Sequence, residues 1–280
     1  MGDVPLWGTP ISEGPAFPNV HNLQLDIDFS TMHRNLIIFS KFPAVLKLWL
    51  DDWADSEDEP TDVPLRCTLD VLPLLQEYCG IWTPLHFLLP KPTLARIALS
   101  LCTPGELLSE LRGEYKHITS LNARLPELDQ QTLSSICACL PGLLDLRFSI
   151  FYDLEDGDVN DGFNPKATNF FSALADTPGL LGVPPTLQRL AISWEFDFDC
   201  LTIFDYFPVA SPDRIPDFLV MRDTLRERCP TLRTLWFDGQ DFMFKWRQLL
   251  GREEMEQENE IEDTEIENLR EKLDDFWEGR

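Results

Sequence analysis

Apolar residues recur along the chain in a fixed order: one apolar position, two intervening residues, a second apolar position, one residue, and a third apolar position. The first positions of seven such windows are separated by 25, 49, 24, 25, 44 and 45 residues. Each interval therefore corresponds to one or two units of about 22 to 25 residues, which predicts a repeated structural unit. The windows are Val20, Leu23 and Leu25; Val45, Leu48 and Leu50; Leu94, Ile97 and Leu99; Ile118, Leu121 and Ala123; Leu143, Leu146 and Phe148; Leu187, Leu190 and Ile192; and Leu232, Leu235 and Phe237.

Proline stands two residues before the first apolar position in six of these windows. Because proline cannot continue a helix and biases the residue before it towards extended structure, each unit is predicted as a helix, a stop and a short strand. The stretch from Thr103 to Glu106 has the form of a capping box with proline at the first helical position. Asp129 and Ser211-Pro212 are predicted to begin two further helices. The six prolines are Pro18, Pro43, Pro92, Pro141, Pro185 and Pro230.

Strands that alternate with helices at so short a period are predicted to lie side by side and parallel. The fold class that we predict is α/β, a leucine-rich-repeat solenoid with a curved parallel sheet on the concave side and helices on the convex side. The expected divisions are an N-terminal arm over 1–16, the solenoid over 17–245, and an acidic amphipathic C-terminal helix or tail over 246–280. In the last segment, five apolar residues have the spacing of one helical face, which we expect to cap the last repeat; a detached tail is the alternative. They are Ile266, Leu269, Leu273, Phe276 and Trp277.

Three stretches carry the repeat most clearly: Phe17 to Leu23, Leu140 to Leu146, and Cys229 to Leu235. Over about residues 17 to 240 the chain resembles the leucine-rich-repeat region of fungal F-box-type proteins. The resemblance implies a substrate-recognition subunit that joins a ubiquitin ligase through an adaptor. The sequence shows no F-box-like segment before the first repeat. The Asn or Cys usual three places after the last strand leucine occurs only as Cys102.

The charge is strongly one-sided, with 48 acidic and 23 basic residues and a net charge of −25. Such a chain repels phosphate backbones, so a nucleic acid partner is not expected. Acidic residues follow predicted strands at 51–62, 153–162 and 195–199, which predicts an acidic rim; ordinary solvated loops are the alternative. No apolar run approaches the ~20 residues that cross a bilayer, and the first residues do not resemble a signal peptide. We therefore expect a cytoplasmic or nuclear protein without a membrane partner.

Motifs for chemistry are not apparent. The seven cysteines form no C-x-x-C pair and mostly lie in apolar runs, which favours buried reduced thiols. A calcium loop beginning at Asp156 would need Gly and Glu where Asp161 and Ala167 stand. The four histidines show no helical pairing for zinc, and the sequence contains no nucleophile elbow or phosphate loop. We expect no metal, no cofactor and no enzymatic activity.

The residues between the apolar strand positions are predicted to project from the concave surface. Arginine offers a planar fork for carboxylate or phosphate, and tryptophan and arginine are common interface anchors. We predict that this face binds an acidic or phosphorylated segment of a partner protein; the alternative is that the arginines pair internally, with Asp145 or the rim acids. A second interpretation of the chain is an acidic binder of basic proteins, comparable to a histone chaperone. The predicted partner-binding residues are Trp49, Arg96, Arg124, Arg147, Arg189 and Trp236.

Overall fold

The structure is a computed structural model. It describes residues 15–27, 36–52, 71–152, 165–176, 182–196, 217–239, 243–249, 252–258 and 273. The chain divides into two compact units, Met1–Ser100 and Leu101–Arg280, and each unit is described by itself below.

The first unit contains a parallel sheet in which neighbours in sequence are neighbours in space. Short helical segments precede its strands: a 3-10 helix at Leu36–Lys41 and helix α1 at Leu85–Leu88. The strands are β1 (Asn22–Ile27), β2 (Lys47–Asp52), β3 (Glu77–Gly80) and β4 (Arg96–Leu101), which ends at the boundary of the unit.

The second unit begins with four parallel strands in sequence order and ends with an antiparallel hairpin added to the last of them. Its parallel strands are β5 (Ser120–Leu125), β6 (Asp145–Tyr152), β7 (Arg189–Phe196) and β8 (Thr234–Asp238), and its hairpin strands are β9 (Met243–Leu249) and β10 (Arg252–Glu258). Its helices are α2 (Pro104–Glu110), α3 (Gln130–Cys139), α4 (Pro165–Asp176) and α5 (Phe218–Arg228).

One hydrogen-bond pattern recurs at each step between parallel strands within a unit. In the second unit, the carbonyl of Thr119 accepts hydrogen bonds from Leu144 N and Asp145 N, at 2.8 and 3.0 Å. The carbonyl of Leu144 accepts in the same way from Gln188 N and Arg189 N. Identical bonding at successive steps means that each segment of chain lies on the preceding one in the same register. The other carbonyls that accept two such bonds are those of His21, Leu46, Gln76 and Gln188.

Threonine strengthens these steps at three places where the sequence reads Pro-Thr-Leu. The hydroxyl of Thr231 donates to the carbonyls of Pro185 and Leu187, at 3.0 and 2.9 Å. Thr186 donates in the same way to the corresponding carbonyls one strand earlier, and Thr93 donates to Pro73 O at 3.3 Å. The side chain thus satisfies carbonyls of the preceding turn that no strand pairs with.

Gly80 shows how closely strands approach in the first unit. It pairs with Leu50, and its φ of +140° lies in the region that favours glycine. A Cβ atom at this position would lie 2.1 Å from the carbonyl oxygen of Leu50. No other residue therefore fits at the end of β3 without moving β2.

The predicted α/β class with parallel strands is confirmed, and each of the seven apolar windows forms a strand. Strand β3 was not predicted because its window consists of Leu75, Tyr78 and Gly80, so that glycine stands where the pattern requires a third apolar side chain. The intervals of 44 and 45 residues, which separate the last three windows, add no strand to the sheet, because β6 pairs directly with β7 and β7 with β8.

Two helix starts agree with the sequence. The capping box at Thr103 is confirmed, with Glu106 N donating to Thr103 Oγ1 at 3.2 Å and Thr103 N donating to Glu106 Oε2 at 2.7 Å. Asp129 caps α3 through a 2.6 Å bond from Thr132 N. The proposed start at Ser211-Pro212 lies outside the described residues, and the described part of α5 is capped by Asp217.

The predicted helix over 246–280 is wrong for residues 246–249 and 252–258, which form the end of β9 and all of β10. The reason is the burial of Phe244 and Trp246, which pair across the sheet with Phe237 and Leu235. Leu273 has helical backbone and is buried; the other residues of the predicted apolar stripe lie outside the described residues.

Candidate binding surface

Alternate side chains of each strand face the helices and form the core. In the second unit this core is strongly aromatic: Phe237 on β8 lies 5.1 Å from Phe171 of α4, and Phe218 of α5 stacks on Phe244 of β9, also at 5.1 Å between ring centroids. The strand residues that alternate with these core residues point to the opposite side of the sheet, which we call the strand face. The predicted binding residues all belong to strand positions on this face.

Trp49 is the main exposed apolar residue on the strand face of the first unit, with 48% of its surface accessible. Its indole Nε1 donates to Asp51 Oδ1 at 2.6 Å, and Gln24 Nε2 donates to Asp51 Oδ2 at 3.3 Å. Asp51 is one residue of the predicted acidic rim; the rest of 51–62 beyond Asp52 lies outside the described residues. The carboxylate therefore fixes the indole against the sheet while leaving its surface open.

A row of charged residues crosses the same face beside Trp49. Lys47, Glu77 and Arg96 are in register on β2, β3 and β4. The carboxylate oxygen Oε2 of Glu77 forms ion pairs with Lys47 Nζ at 3.0 Å and with Arg96 Nη1 at 3.5 Å. The side chains of Lys47 and Arg96 are 55% and 64% exposed, so this row presents two accessible cations around one carboxylate.

The three arginines of the second unit have different surroundings. Arg124 is exposed, and its guanidinium lies 4.6 Å from the ring centroid of Phe151. Arg147 is half-buried. Arg189 forms a bidentate pair with Asp145, its register partner, through Nε–Oδ1 at 2.5 Å and Nη2–Oδ2 at 2.7 Å. That hydrogen bonding raises the pKa of Arg189, and the predicted alternative of internal pairing with Asp145 is correct for this residue.

Trp236 was predicted to project into solvent, and this prediction is wrong, because only 1% of its surface is accessible. Lys245 Nζ lies over its ring, 4.9 Å from the centroid. Trp236 also belongs to a buried apolar cluster with Ala191, Met243 and Leu273. Sequence reasoning missed Met243 and Lys245, because a repeat pattern does not predict an antiparallel strand next to β8.

Small polar residues on the strand face of β6 to β8 are buried as well. Ser149 and Ser193 are 7% and 4% exposed, with their hydroxyl oxygens 3.5 Å apart, and Thr234 is 6% exposed. The strand face of the second unit is therefore buried around Trp236, from Ser149 on β6 to Lys245 on β9. Leu273 is a described residue from outside the sheet that contributes to this burial.

The five described cysteines are free thiols, and Cys102, Cys137 and Cys229 are buried as predicted, whereas Cys79 and Cys139 are half-buried. Cys67 and Cys200 lie outside the described residues. Burial raises the pKa of Cys102 and Cys137 to about 12, and that of Cys79 and Cys229 to about 11. A thiol in such surroundings stays protonated near neutral pH and is a poor nucleophile.

A cavity of about 780 Å³ lies in the second unit between α4 and the chain that leads into α3. Its apolar wall contains Ile150, Phe170 and Trp194. Among its acidic residues, Asp129 is engaged in capping α3. The described residues that line it include no histidine, cysteine or lysine. The cavity therefore has an apolar wall and polar residues around it.

Within the described ranges, no group of three or more His, Cys, Asp or Glu is arranged to hold a metal ion. The stretch from Asp156, which does not match the calcium-loop pattern, lies outside those ranges as far as residue 164. The part of the chain that the structure describes also contains no helix long and apolar enough to cross a membrane.

Comparison of the chain with protein-family models and with curated proteins gives no match.

Proposed function

We propose that this chain is a non-catalytic protein-interaction solenoid of the leucine-rich-repeat type, and that it binds a segment of a partner protein on the strand face around Trp49. The repeated two-donor hydrogen bonds between parallel strands support the repeat architecture in each unit. Solenoids of this kind present broad concave surfaces that bind other proteins.

The observation that carries the binding site is the exposure of Trp49. An indole with 48% of its surface in water, held by Asp51, is a rigid apolar anchor that loses little conformational freedom on binding. The neighbouring Lys47 and Arg96 add two accessible cations that share Glu77. This combination suits a partner segment with an apolar side chain next to a carboxylate or phosphate group.

A substrate-recognition subunit of a ubiquitin ligase is the sharper form of this proposal, and the resemblance to F-box-type proteins supports it. In this form the partner segment belongs to the substrate, and an adaptor connects the chain to the ligase. The covered strand face of the second unit favours recognition by the first unit, because Trp236 is not accessible.

The experiment is affinity purification from native extract with the wild-type chain, Trp49→Ala and the control Leu219→Ala. Leu219 is 41% exposed on α5, so its variant removes a comparable exposed apolar side chain from the helical side. We expect specific proteins to be depleted at least tenfold with Trp49→Ala and retained with Leu219→Ala. Equal recovery with all three would contradict the site.

The identity of the recovered proteins then separates the forms of the proposal. Adaptor and cullin-type subunits in the wild-type sample support ubiquitin-ligase recruitment. Recovery of basic proteins alone, unaffected by Trp49→Ala and lost as salt is raised, supports the acidic-binder interpretation instead.

A further inference from the structure

The strand face of β7 to β9 has the composition of a binding site. Ala191, Trp236 and Met243 come from three adjacent strands and present an apolar surface, and each is no more than 1% exposed. Lys245 and Arg247 follow Met243 at two-residue steps on β9 and lie on the same face. Arg247 pairs with Glu254 of β10 at 2.9 Å, so the positive charge beside Trp236 is that of Lys245. Lys245 lies directly over the Trp236 ring.

The side chain that completes this surface comes from far along the chain. Leu273 is 4% exposed and packs in the cluster with Ala191, Trp236 and Met243. It follows the end of β10 by fifteen residues and has helical backbone. Leu273 is therefore a described contact of this apolar surface that does not belong to any of its strands.

The charge of the segment complements the site. Residues 262–280 contain eight acidic and three basic residues, and Leu273 is followed directly by Asp274 and Asp275. A leucine among carboxylates matches an apolar surface that contains Lys245. The same kind of surface next to Trp49, in the first unit, is exposed.

We propose that the strand face of β7 to β9 is a second binding site, and that its occupant in this chain is the acidic C-terminal segment, held through Leu273 as a displaceable intramolecular ligand. The site selects an apolar side chain in an acidic segment. This inference deepens the proposed function, since displacement of the segment would open the second unit to a partner in the way that Trp49 is open in the first.

The test uses the full chain and a fluorescently labelled peptide of residues 262–280, with binding followed by fluorescence anisotropy. In the wild type the tethered segment competes at an effective concentration of about millimolar, so added peptide should bind weakly. In Leu273→Asp the site is vacated, and we expect the peptide to bind at least tenfold more tightly than to the wild type. A peptide carrying the same Leu273→Asp change should bind neither chain, and the control chain Leu219→Asp should behave as wild type.

Two results would overturn the proposal. One is equal peptide affinity for folded wild-type and Leu273→Asp chains. The other is loss of the cooperative unfolding transition in Leu273→Asp, because Leu273 would then be a core residue that the fold requires. The assay contains no external partner and leaves Trp49 unchanged, so its failure is distinguishable from failure of the proposed function.

Discussion

Two strands of this protein have almost the same sequence and opposite surroundings. Residues 47–51 read Lys-Leu-Trp-Leu-Asp, and residues 234–238 read Thr-Leu-Trp-Phe-Asp. In both, the residues flanking tryptophan are buried in the core and tryptophan points to the strand face. Trp49 is nevertheless 48% exposed, whereas Trp236 is 1% exposed.

The difference comes from what lies beyond each strand. The described contact of the Trp49 indole nitrogen is with Asp51 of its own strand. Trp236 has an antiparallel neighbour, β9, which places Lys245 over its ring, and it is covered by Leu273. A strand pattern therefore determines which side of the sheet a residue is on, and more distant segments determine whether that side meets water.

The largest expected difference is between the two tryptophan-to-alanine variants. Trp236→Ala removes a fully buried ring and should lower the free energy of unfolding by about 3 to 5 kcal/mol, the range for a large aromatic residue in a core. Urea unfolding followed by circular dichroism measures this. A cost for Trp236→Ala as small as that of Trp49→Ala would show that the second strand face is not covered in solution.

The next largest effect concerns two ion pairs on the strand face, one in each unit. Arg189→Ala leaves the carboxylate of Asp145, 18% exposed, without its bidentate partner, and we expect a loss of about 1 to 3 kcal/mol. Arg96→Ala is the matched control, since its guanidinium is 64% exposed and solvent screens its pair with Glu77. Its loss should stay below about 1 kcal/mol. Urea unfolding of both variants in parallel compares them, and equal losses would remove the distinction between the two faces.

Alkaline pH should also act more strongly on the second unit. The raised thiol pKa values mean that the folded state keeps its protons where the unfolded state has released them. The contribution of these thiols is fully present below about pH 9 and is lost as pH rises towards 11 to 12, by at most about 1.4 kcal/mol per thiol per pH unit.

Unfolding measured at pH 8 and pH 10 in wild type and Cys137→Ala tests this dependence. The variant removes one buried thiol of the second unit, so the fall in stability between the two pH values should be smaller than in wild type. An unchanged fall would assign the alkaline effect to other groups.

The smallest effect on stability is expected for Trp49→Ala, at less than about 0.5 kcal/mol, because surface substitutions away from buried features seldom exceed this. The same variant should lose partner capture, as described above. A large loss of stability from Trp49→Ala, in the same urea experiment, would mean that Trp49 stabilises the first unit and would weaken its assignment as an exposed anchor.

Much of the candidate surface could be predicted from local pattern. Apolar residues two apart, with a proline before them, identify the strands, because burial of one side of a strand follows directly from the alternation of its side chains. The positions of Trp49, Arg96 and Arg189 on the opposite side follow from the same alternation. The pairing of Arg189 with Asp145 was one of two alternatives, and only the register of β6 against β7 decided between them.

The sequence by itself determined the repeated strands, the order in which they pair and the residues that each strand turns towards the helices, since these depend on neighbours a few positions apart. Only the tertiary structure decided that Trp236 is buried and that the chain after it forms a hairpin, because these depend on contacts with β9 and with Leu273. Leu273 and Trp236 are 37 positions apart, and no periodicity along the chain specifies which residue will cover which surface.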